Sequence, residues 1–343
     1  MTADLTRLEE LVESFTKQTV VVLADLVADR FVSGDISRVS REAPVLILRH
    51  RETELLPGGG AHATNNLVDL GAHVLAVGAI GDDDAGRALV SYFKMKNVDV
   101  SGLVRAPGWS TPVKTRYLAG WTHTTRQQVL RVDHEPQTPL SATTQRTLLK
   151  KTAQRIRRSN VLLASDYGFG SVTPLSLKSL RRTAGTKLKI TLDSRYCLGD
   201  YRAAGITAAT PNESELESMH HTRTSNNPAS VETLGQQTLK ALHLEALVLT
   251  RGKDGMVIFE RNNKPKHIPV YGSDEAADVT GAGDTVIAVF TLALAAGATY
   301  SEAAELANYA AGIVVMKRGT ATVRREELLT ALRNEATGKN RVL

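Results

Sequence analysis

The sequence predicts an α/β protein: a doubly wound, mostly parallel sheet with helices on both faces and a small β-sheet lid. Three observations predict it. Short apolar, β-branched runs alternate with helix-like stretches along most of the chain, the rhythm of βαβ units. The runs at 20–24, 74–80 and 161–164 are too evenly apolar to leave one face in water, as strands buried on both faces require. Two stretches, 31–50 and 111–133, break the rhythm with alternating polar and apolar residues, and these would form the projecting lid.

Taken in order, Leu5, Leu8, Leu11, Val12 and Phe15 recur with helical spacing among Asp4, Glu9, Glu10 and Glu13. An acidic amphipathic helix is neither a signal nor a transit peptide. The strand at 20–24 ends in Asp25 and Asp29, the carboxyl edge at which open α/β sheets bind ligands. The plainer reading of these acids is a loop carboxylate and a partner for Arg30. Residues 45–48 read as a lid strand. Pro57-Gly58-Gly59-Gly60-Ala61 precedes a helix-like stretch with His62, Asn65 and Asn66, and such glycines serve either close approach to a ligand or a tight turn.

The strand at 74–80 runs into Gly81-Asp82-Asp83-Asp84 and a helix over 85–96. Residues 113–119 and 128–132 would complete the lid, bringing Lys114, Arg116 and Arg131 onto it. Further strands are expected at 161–164, 189–192, 206–209 and 247–250. Thr250-Arg251-Gly252-Lys253-Asp254-Gly255 then turns into an antiparallel strand at 256–260, and helices close the chain at 301–318 and 324–335. No repeat, low-complexity segment or linker divides it, so one domain over 1–343 is expected.

Composition narrows the function. With 42% hydrophobic and 23% charged residues over 343 positions, the chain can build a sizeable core. The single Cys197, with no CxxC pair, predicts neither a disulfide nor a structural zinc site. No apolar run reaches 18 residues, so no membrane span is expected and the cytoplasm is the expected address. A net charge of +6 invites a nucleic-acid reading. The basic residues instead form small groups (Arg155-Arg157-Arg158, Arg181-Arg182, Arg324-Arg325), and aromatics are only 5%, too few for a base-stacking platform.

The chemistry is expected at Asp278-Val279-Thr280-Gly281-Ala282-Gly283-Asp284, followed by the apolar run 286–298. This reads as a loop feeding a buried helix, with Thr280 offering a capping hydroxyl. The free N–H groups of 281–284 would converge on an anion at the positive end of the helix. Asp284 beside such a hole suits a base acting on an attacking hydroxyl. A first-turn Asp favoured by the dipole alone is the plainer alternative. Asn212-Glu213-Ser214-Glu215 follows a strand, where Asn212 and Glu215 either reach a hydrated magnesium ion or form a capping box. There is no GxxxxGK[ST], no HRD or DFG, and no nucleophile elbow.

The segment 277–284, with Thr210-Pro211-Asn212-Glu213-Ser214-Glu215 and the 250–255 turn upstream, resembles the ribokinase-type (PfkB) family of carbohydrate kinases. Asp25-Leu26-Val27-Ala28-Asp29-Arg30, Ser165-Asp166-Tyr167-Gly168, residues 37–45 and residues 310–315 resemble its bacterial D-glycero-D-manno-heptose 7-phosphate kinases. The likeness runs from about residue 18 to 335. It implies a ribokinase-like fold, ATP and Mg²⁺ as cofactors, and a homodimer through the β lid. It implies Asp284 as base toward the anomeric hydroxyl, with the amides of Gly281, Ala282, Gly283 and Asp284 holding the phosphoryl group. Asp25, Asp29, Gly58, Gly59 and Asn66 would face the sugar, with Asp166 nearby. Asn212 and Glu215, the latter through water, would organise magnesium, while Thr250, Gly252, Gly255 and Asn308 would line the nucleotide site. Arg38, Lys114, Arg116 and Arg131 are candidates for the substrate's existing phosphate, since bidentate cations match it. A monovalent cation requirement is left open.

Two departures accompany the likeness. Ala24-Asp25 stands where the family has Gly-Asp, and His62 replaces an Asn that the family turns toward the sugar. The heptose kinases are often fused to a nucleotidyltransferase domain. Here the chain ends at Leu343, so activation of the product is expected from another protein. Two alternatives stand beside heptose 7-phosphate: a kinase for another sugar, sugar phosphate or nucleoside, and a non-catalytic sugar- or nucleotide-binding regulator.

Overall fold

The computed structural model describes residues 4–121, 126–196, 198–224, 228–272 and 277–337; Cys197 and residues 122–125 of the second lid segment lie outside the described residues. Helix α1 (Leu5–Glu13) is capped by Asp4, which accepts from the Thr6 N–H at 3.0 Å, and it buries Leu8, Leu11 and Val12. Strand β1 (Thr19–Ala24) follows, and after Asp25 the chain leaves the main layer for two long strands, β2 (Leu26–Val39) and β3 (Leu46–Gly59). It returns through α2 (Gly60–Asp69), β4 (His73–Ile80), α3 (Asp84–Met95) and β5 (Asp99–Arg105), then enters β6 (Val113–Gly120) and β7 (Gln127–His134).

The second half alternates α4 (Ala142–Arg155), β8 (Val161–Asp166), α5 (Pro174–Ala184), β9 (Lys189–Ser194), β10 (Ala208–Ala209), α6 (Glu213–His220), α7 (Pro228–Ala241) and β11 (Ala246–Thr250). Strands β12 (Met256–Glu260) and β13 (Lys266–Ile268) precede α8 (Ala282–Ala295), α9 (Tyr300–Val315) and α10 (Arg325–Ala336). Among the described residues no helix is long and apolar enough to cross a membrane.

The main sheet has the order β13-β12-β11-β10-β9-β8-β1-β4-β5, parallel except for the antiparallel β11–β12 and β12–β13 pairs. Its strands are covered on both sides. Val20, Val22 and Ala24 of β1 enter one core with α8, while Val21 and Leu23 enter the other with Leu177 and Leu180 of α5. This alternation within one apolar run is what a doubly wound sheet requires. Helix α8 is buried from Asp284 to Ala295, as a helix apolar all round must be. The chain order reverses around β1, which lies between β8 and β4, so its carboxyl end opens at the topological switch point.

The lid is the separate sheet β3-β2-β6-β7. Its strands are longer than the sequence suggests, and Gly58 and Gly59 pair with Val27 and Leu26 instead of forming a tight turn. Three expectations are corrected here. The edge strand β5 and the three-residue β13 were not expected, because Asp99-Val100-Ser101 is half polar and β13 is too short to show a period. The strand expected at 206–209 shrinks to Ala208–Ala209. The hydroxyl cap from Thr280 is replaced by Gly281 in a left-handed conformation, φ 82°, with no side-chain cap.

Candidate active site

A cavity of about 610 Å³ lies between the carboxyl ends of the main strands, the N-terminus of α8 and the lid. Asp284, Gly281, Gly283 and Thr280 come to it from α8 and its lead-in; Lys114, Arg116 and Arg131 come from the lid; Asn212, Glu215 and Thr250 come from the strand ends. A second cavity of similar volume, at the opposite ends of β1, β8 and β9, is lined by Lys17, Arg157, Arg158 and Lys187. It offers cations but no carboxylate, whereas the first gathers both, which makes the first the candidate site.

Asp284 is buried, and the Tyr167 hydroxyl donates to its Oδ1 at 2.9 Å. Burial pushes its carboxyl up to about 7, against the pull of the Tyr167 hydrogen bond. A carboxylate held there is poised to accept a proton near neutrality. The Ala282 N–H turns back to the Val279 carbonyl at 3.2 Å, and Ala282 does not line the cavity. Among the described residues the N–H groups of Gly281, Gly283 and Asp284 have no acceptor, as the first turn of a helix leaves them.

Gly281 has a particular neighbour. A Cβ placed on it would lie 2.6 Å from His62 Nε2. His62 is fully buried beneath it, and burial holds the imidazole down at about 4, hence neutral, against a weaker opposing pull from Asp69 and the Ala321 backbone. The ring is therefore packed under the Gly281 turn and does not line the cavity, and the departure at 62 changes what supports that turn. Ala24 is not among the positive-φ residues, so the methyl added there meets no backbone conflict.

Period-two alternation brings the lid residues to one face: Lys114 and Arg116 on β6, Arg131 and Asp133 on β7, Asp29 and Phe31 on β2. Arg116 pairs with Asp29 at 2.5 Å and lies over the Phe31 ring, and Arg131 lies 2.9 Å from Asp133. Burial raises Asp29 above the usual carboxylate range despite Arg116. Gly58 backs this acid, since a Cβ there would come within 2.5 Å of Asp29 Cγ. Arg38 is not brought to the site; it lies on the exposed far end of β2, opposite Ile47.

Several expected site residues are occupied by the protein itself. Asp25 accepts from the backbone N–H groups of Tyr167, Phe169 and Ser171 at 2.8–3.0 Å, so it shapes the 167–171 loop. Burial first, and the Asp166 charge second, raise Asp25 to about 6. Asp166 accepts from Ser194 Oγ, Tyr201 OH and the Gly168 N–H. Asn66 donates to the His62 carbonyl and accepts from Thr285 Oγ1 and the Val323 N–H. Asn308 donates to the Pro269 carbonyl at 2.8 Å. Gly59, φ 51°, caps α2 against the Tyr167 ring. Gly252 and Gly255, φ 56° and 76°, make the turn between β11 and β12, where Arg251 N–H meets the Gly255 carbonyl.

Asn212 and Glu215 form a reciprocal capping box at 2.9 Å each way. The box uses only Oε2 of Glu215. Burial raises the Glu215 carboxyl, and burial together with Glu215 and Asp284 raises Asp193 well above the ordinary range. Among the described residues no group of three or more His, Cys, Asp or Glu forms a metal cage. Two neighbouring carboxyls whose charged forms burial disfavours would be stabilised as carboxylates by a hydrated magnesium ion carried on phosphates, which needs one or two carboxylates and no cage. Asp193, Arg195 and Tyr167 line the site yet were not singled out in the sequence. Their signal was position, since each sits at the carboxyl end of a parallel strand.

The pfkB family carbohydrate kinase model matches residues 19–327. The Bifunctional protein HldE of Gluconobacter oxydans is 36% identical over 330 residues, covering 95% of this chain and 66% of the relative. That of Geobacter metallireducens is 38% identical over 314 residues, covering 91% and 62%. The chain thus spans about two thirds of the length of the curated relatives it matches. Among solved structures, Arabidopsis thaliana ribokinase complexed with ribose and ATP has a TM-score of 0.69 at 17% identity, over 92% of this chain and 98% of that one. Escherichia coli phosphofructokinase-2 in complex with fructose-6-phosphate gives 0.71 at 18% identity, over 93% and 99%. These two likenesses carry the ribokinase-like fold. With the family model spanning nearly all of the chain and an acid at the N-terminus of α8, this protein belongs to the pfkB family of carbohydrate kinases and is a phosphotransferase.

Proposed function

We propose that the protein transfers the γ-phosphoryl group of ATP to the anomeric hydroxyl of D-glycero-D-manno-heptose 7-phosphate, giving the 1,7-bisphosphate. The observation that carries this reading is the meeting of Asp284 with Lys114, Arg116 and Arg131 in one cavity. A base and an anion hole serve any sugar kinase. Three lid cations beside them favour an acceptor that already carries a phosphate.

In this reading Asp284 takes the proton of the anomeric hydroxyl as it attacks, and the N–H groups of Gly281, Gly283 and Asp284 stabilise charge on the phosphoryl oxygens. Thr250 and the glycine turn at 252–255 face the nucleotide. Magnesium neutralises the nucleotide phosphates when bound, and Glu215, with Asn212 and Asp193, would hold it through water. The lid and the large sheet act as one catalytic unit in the cytoplasm, and two copies associate through the lid.

The test is ADP release from ATP and magnesium across heptose 7-phosphates, hexose phosphates, free sugars and nucleosides, with Asp284→Asn as the blank. Turnover confined to a heptose 7-phosphate supports the reading. Turnover confined to a free sugar or a nucleoside overturns it.

A further inference from the structure

The cavity holds a cation to which neither the family resemblance nor the lid argument assigns a role. Arg195 follows β9 directly, anchored by its own N–H on the Asp166 carbonyl at 3.1 Å. Its guanidinium carbon lies 5.7 Å from the Tyr167 ring centroid and 5.9 Å from that of Tyr196. Among the described residues the side chain makes no ion pair, although Asp193, Glu215 and Asp284 line the same cavity. Arginine near three acids that bonds none of them is held by ring stacking and remains free to bind.

Its relation to Lys114 narrows the ligand. Lys114 Nζ lies 5.5 Å from the same Tyr167 ring, and among the described residues it too makes no ion pair. Burial first and Arg195 next lower the Lys114 ammonium, so the two cations repel each other. Two like charges gathered on one ring, with the nearby Asp284 carboxyl attracting both but, among the described residues, ion-paired to neither, become more favourable when a further anion enters. The Tyr167 hydroxyl fixes where that anion reacts, because it donates to Asp284. Arg195 arrives from the strand end beside Asp193 and Glu215, and Lys114 from the lid.

We propose that Arg195 is a catalytic residue: its guanidinium binds the phosphoryl group in transfer, from the strand-end side of the cavity that the nucleotide phosphates occupy. This rests on the kinase reading given above. The lid cations then serve the acceptor, and Arg195 serves the charge that develops between donor and acceptor. A guanidinium acting in cis on a transferring phosphoryl group is worth more in the transition state than in the ground state, so its loss falls on kcat.

The experiment compares Arg195→Ala, Arg195→Lys and Asp284→Asn with the unaltered protein, using the acceptor that turns over fastest. Arg195→Ala is expected to lower kcat by roughly 10²–10³, with KM for the acceptor changed by less than about threefold. Arg195→Lys should recover part of the loss, and added guanidinium should partly rescue Arg195→Ala but not Asp284→Asn. A kcat for Arg195→Ala within twofold of the unaltered protein, or a loss confined to acceptor KM, overturns the assignment. If Asp284→Asn is silent while Arg195→Ala keeps its kcat, only this inference falls. If Asp284→Asn stays active, the underlying reading of the site falls instead.

Discussion

The Tyr167 hydroxyl donates a hydrogen bond of 2.9 Å to Asp284 Oδ1, so this buried carboxyl, the proposed base, has one fixed side-chain donor on one of its two oxygens. A hydrogen bond to the ionised form lowers a carboxyl pKa, whereas burial raises it, and the balance here is about 7. Activity should therefore rise with pH through about 7, as the base ionises. Tyr167→Phe removes the opposing interaction. A hydrogen bond to a charged group is worth about 1.5–3 kcal/mol, so the acid limb of kcat/KM should move up by roughly one to two pH units. Full recovery of Tyr167→Phe near pH 9, with loss at pH 7, is the expected pattern; an unmoved limb would show that the hydroxyl does not tune the base.

The same shift bears on stability, with a definite sign. Asp284 goes from an ordinary 3.8 to about 7 on folding, so between these values the folded state binds the extra proton. Stability from this group is then fully present below about 4 and is lost as pH rises through about 7. Asp284→Asn carries no charge to bury. Its melting temperature should exceed that of the unaltered protein at pH 8 and approach it at pH 4, while kcat falls by roughly 10²–10⁴. A variant less stable at pH 8 would contradict the burial account.

Gly281 holds φ 82° with His62 Nε2 2.6 Å from where a Cβ would stand. Gly281→Ala faces two separate costs. The left-handed backbone costs an L-residue roughly 1–2 kcal/mol, and the imidazole has to move as well. Pairing Gly281→Ala with His62→Ala should relieve the contact but not the backbone, restoring thermal stability in part and kcat less. Equal recovery of both would mean that the backbone is indifferent to its conformation.

How much of this was legible beforehand depended on whether a residue's signal is local. The strand–helix rhythm, the α8 lead-in and the glycine turn at 252–255 are consecutive residues with their own periodicity, and they stand close to where the sequence puts them. Asp25, Asp166 and Asn66 look like ligand groups for the same reason, as polar residues at strand ends and helix starts. Their hydrogen bonds go to Tyr167, Ser194 and Thr285, residues more than 25 positions away, which no local pattern reveals. Tyr167, Asp193 and Arg195 went unassigned for the converse reason. Each is unremarkable in its own segment and gains a role only when β8 and β9 align beside α8.

Arg116 and Asp29 offer a test of buried charge. They lie 2.5 Å apart on facing strands of the lid, both largely shielded from water. Arg116→Met leaves the Asp29 charge without its partner, and breaking such a buried pair costs about 3–5 kcal/mol. Replacing both, as Arg116→Met with Asp29→Asn, removes the stranded charge and should regain most of that stability. If Arg116 also holds the substrate's phosphate, KM for a sugar phosphate should stay high in the double variant despite the recovered fold. Denaturant titration and acceptor KM, measured side by side, separate the two roles.

The lid also carries apolar side chains that its own sheet does not cover: Val39, Val45, Leu130 and Val132 are 59%, 54%, 55% and 49% exposed. Leu130 and Val132 lie on the edge strand β7, where unpaired backbone groups add to the exposed apolar area, while Val39 ends β2 and Val45 lies in the distal turn before β3. A second copy meeting this surface would cover both. Light scattering on the eluting protein should then give twice the chain mass, and Leu130→Glu should shift it toward the monomer. Because Leu130 is opposite Tyr117, on the strand that bears Lys114 and Arg116, the shift should also raise acceptor KM by loosening the lid. A monomeric unaltered protein, or a Leu130→Glu variant unchanged in mass, would locate the subunit contact elsewhere and leave these side chains to the lid's own closure.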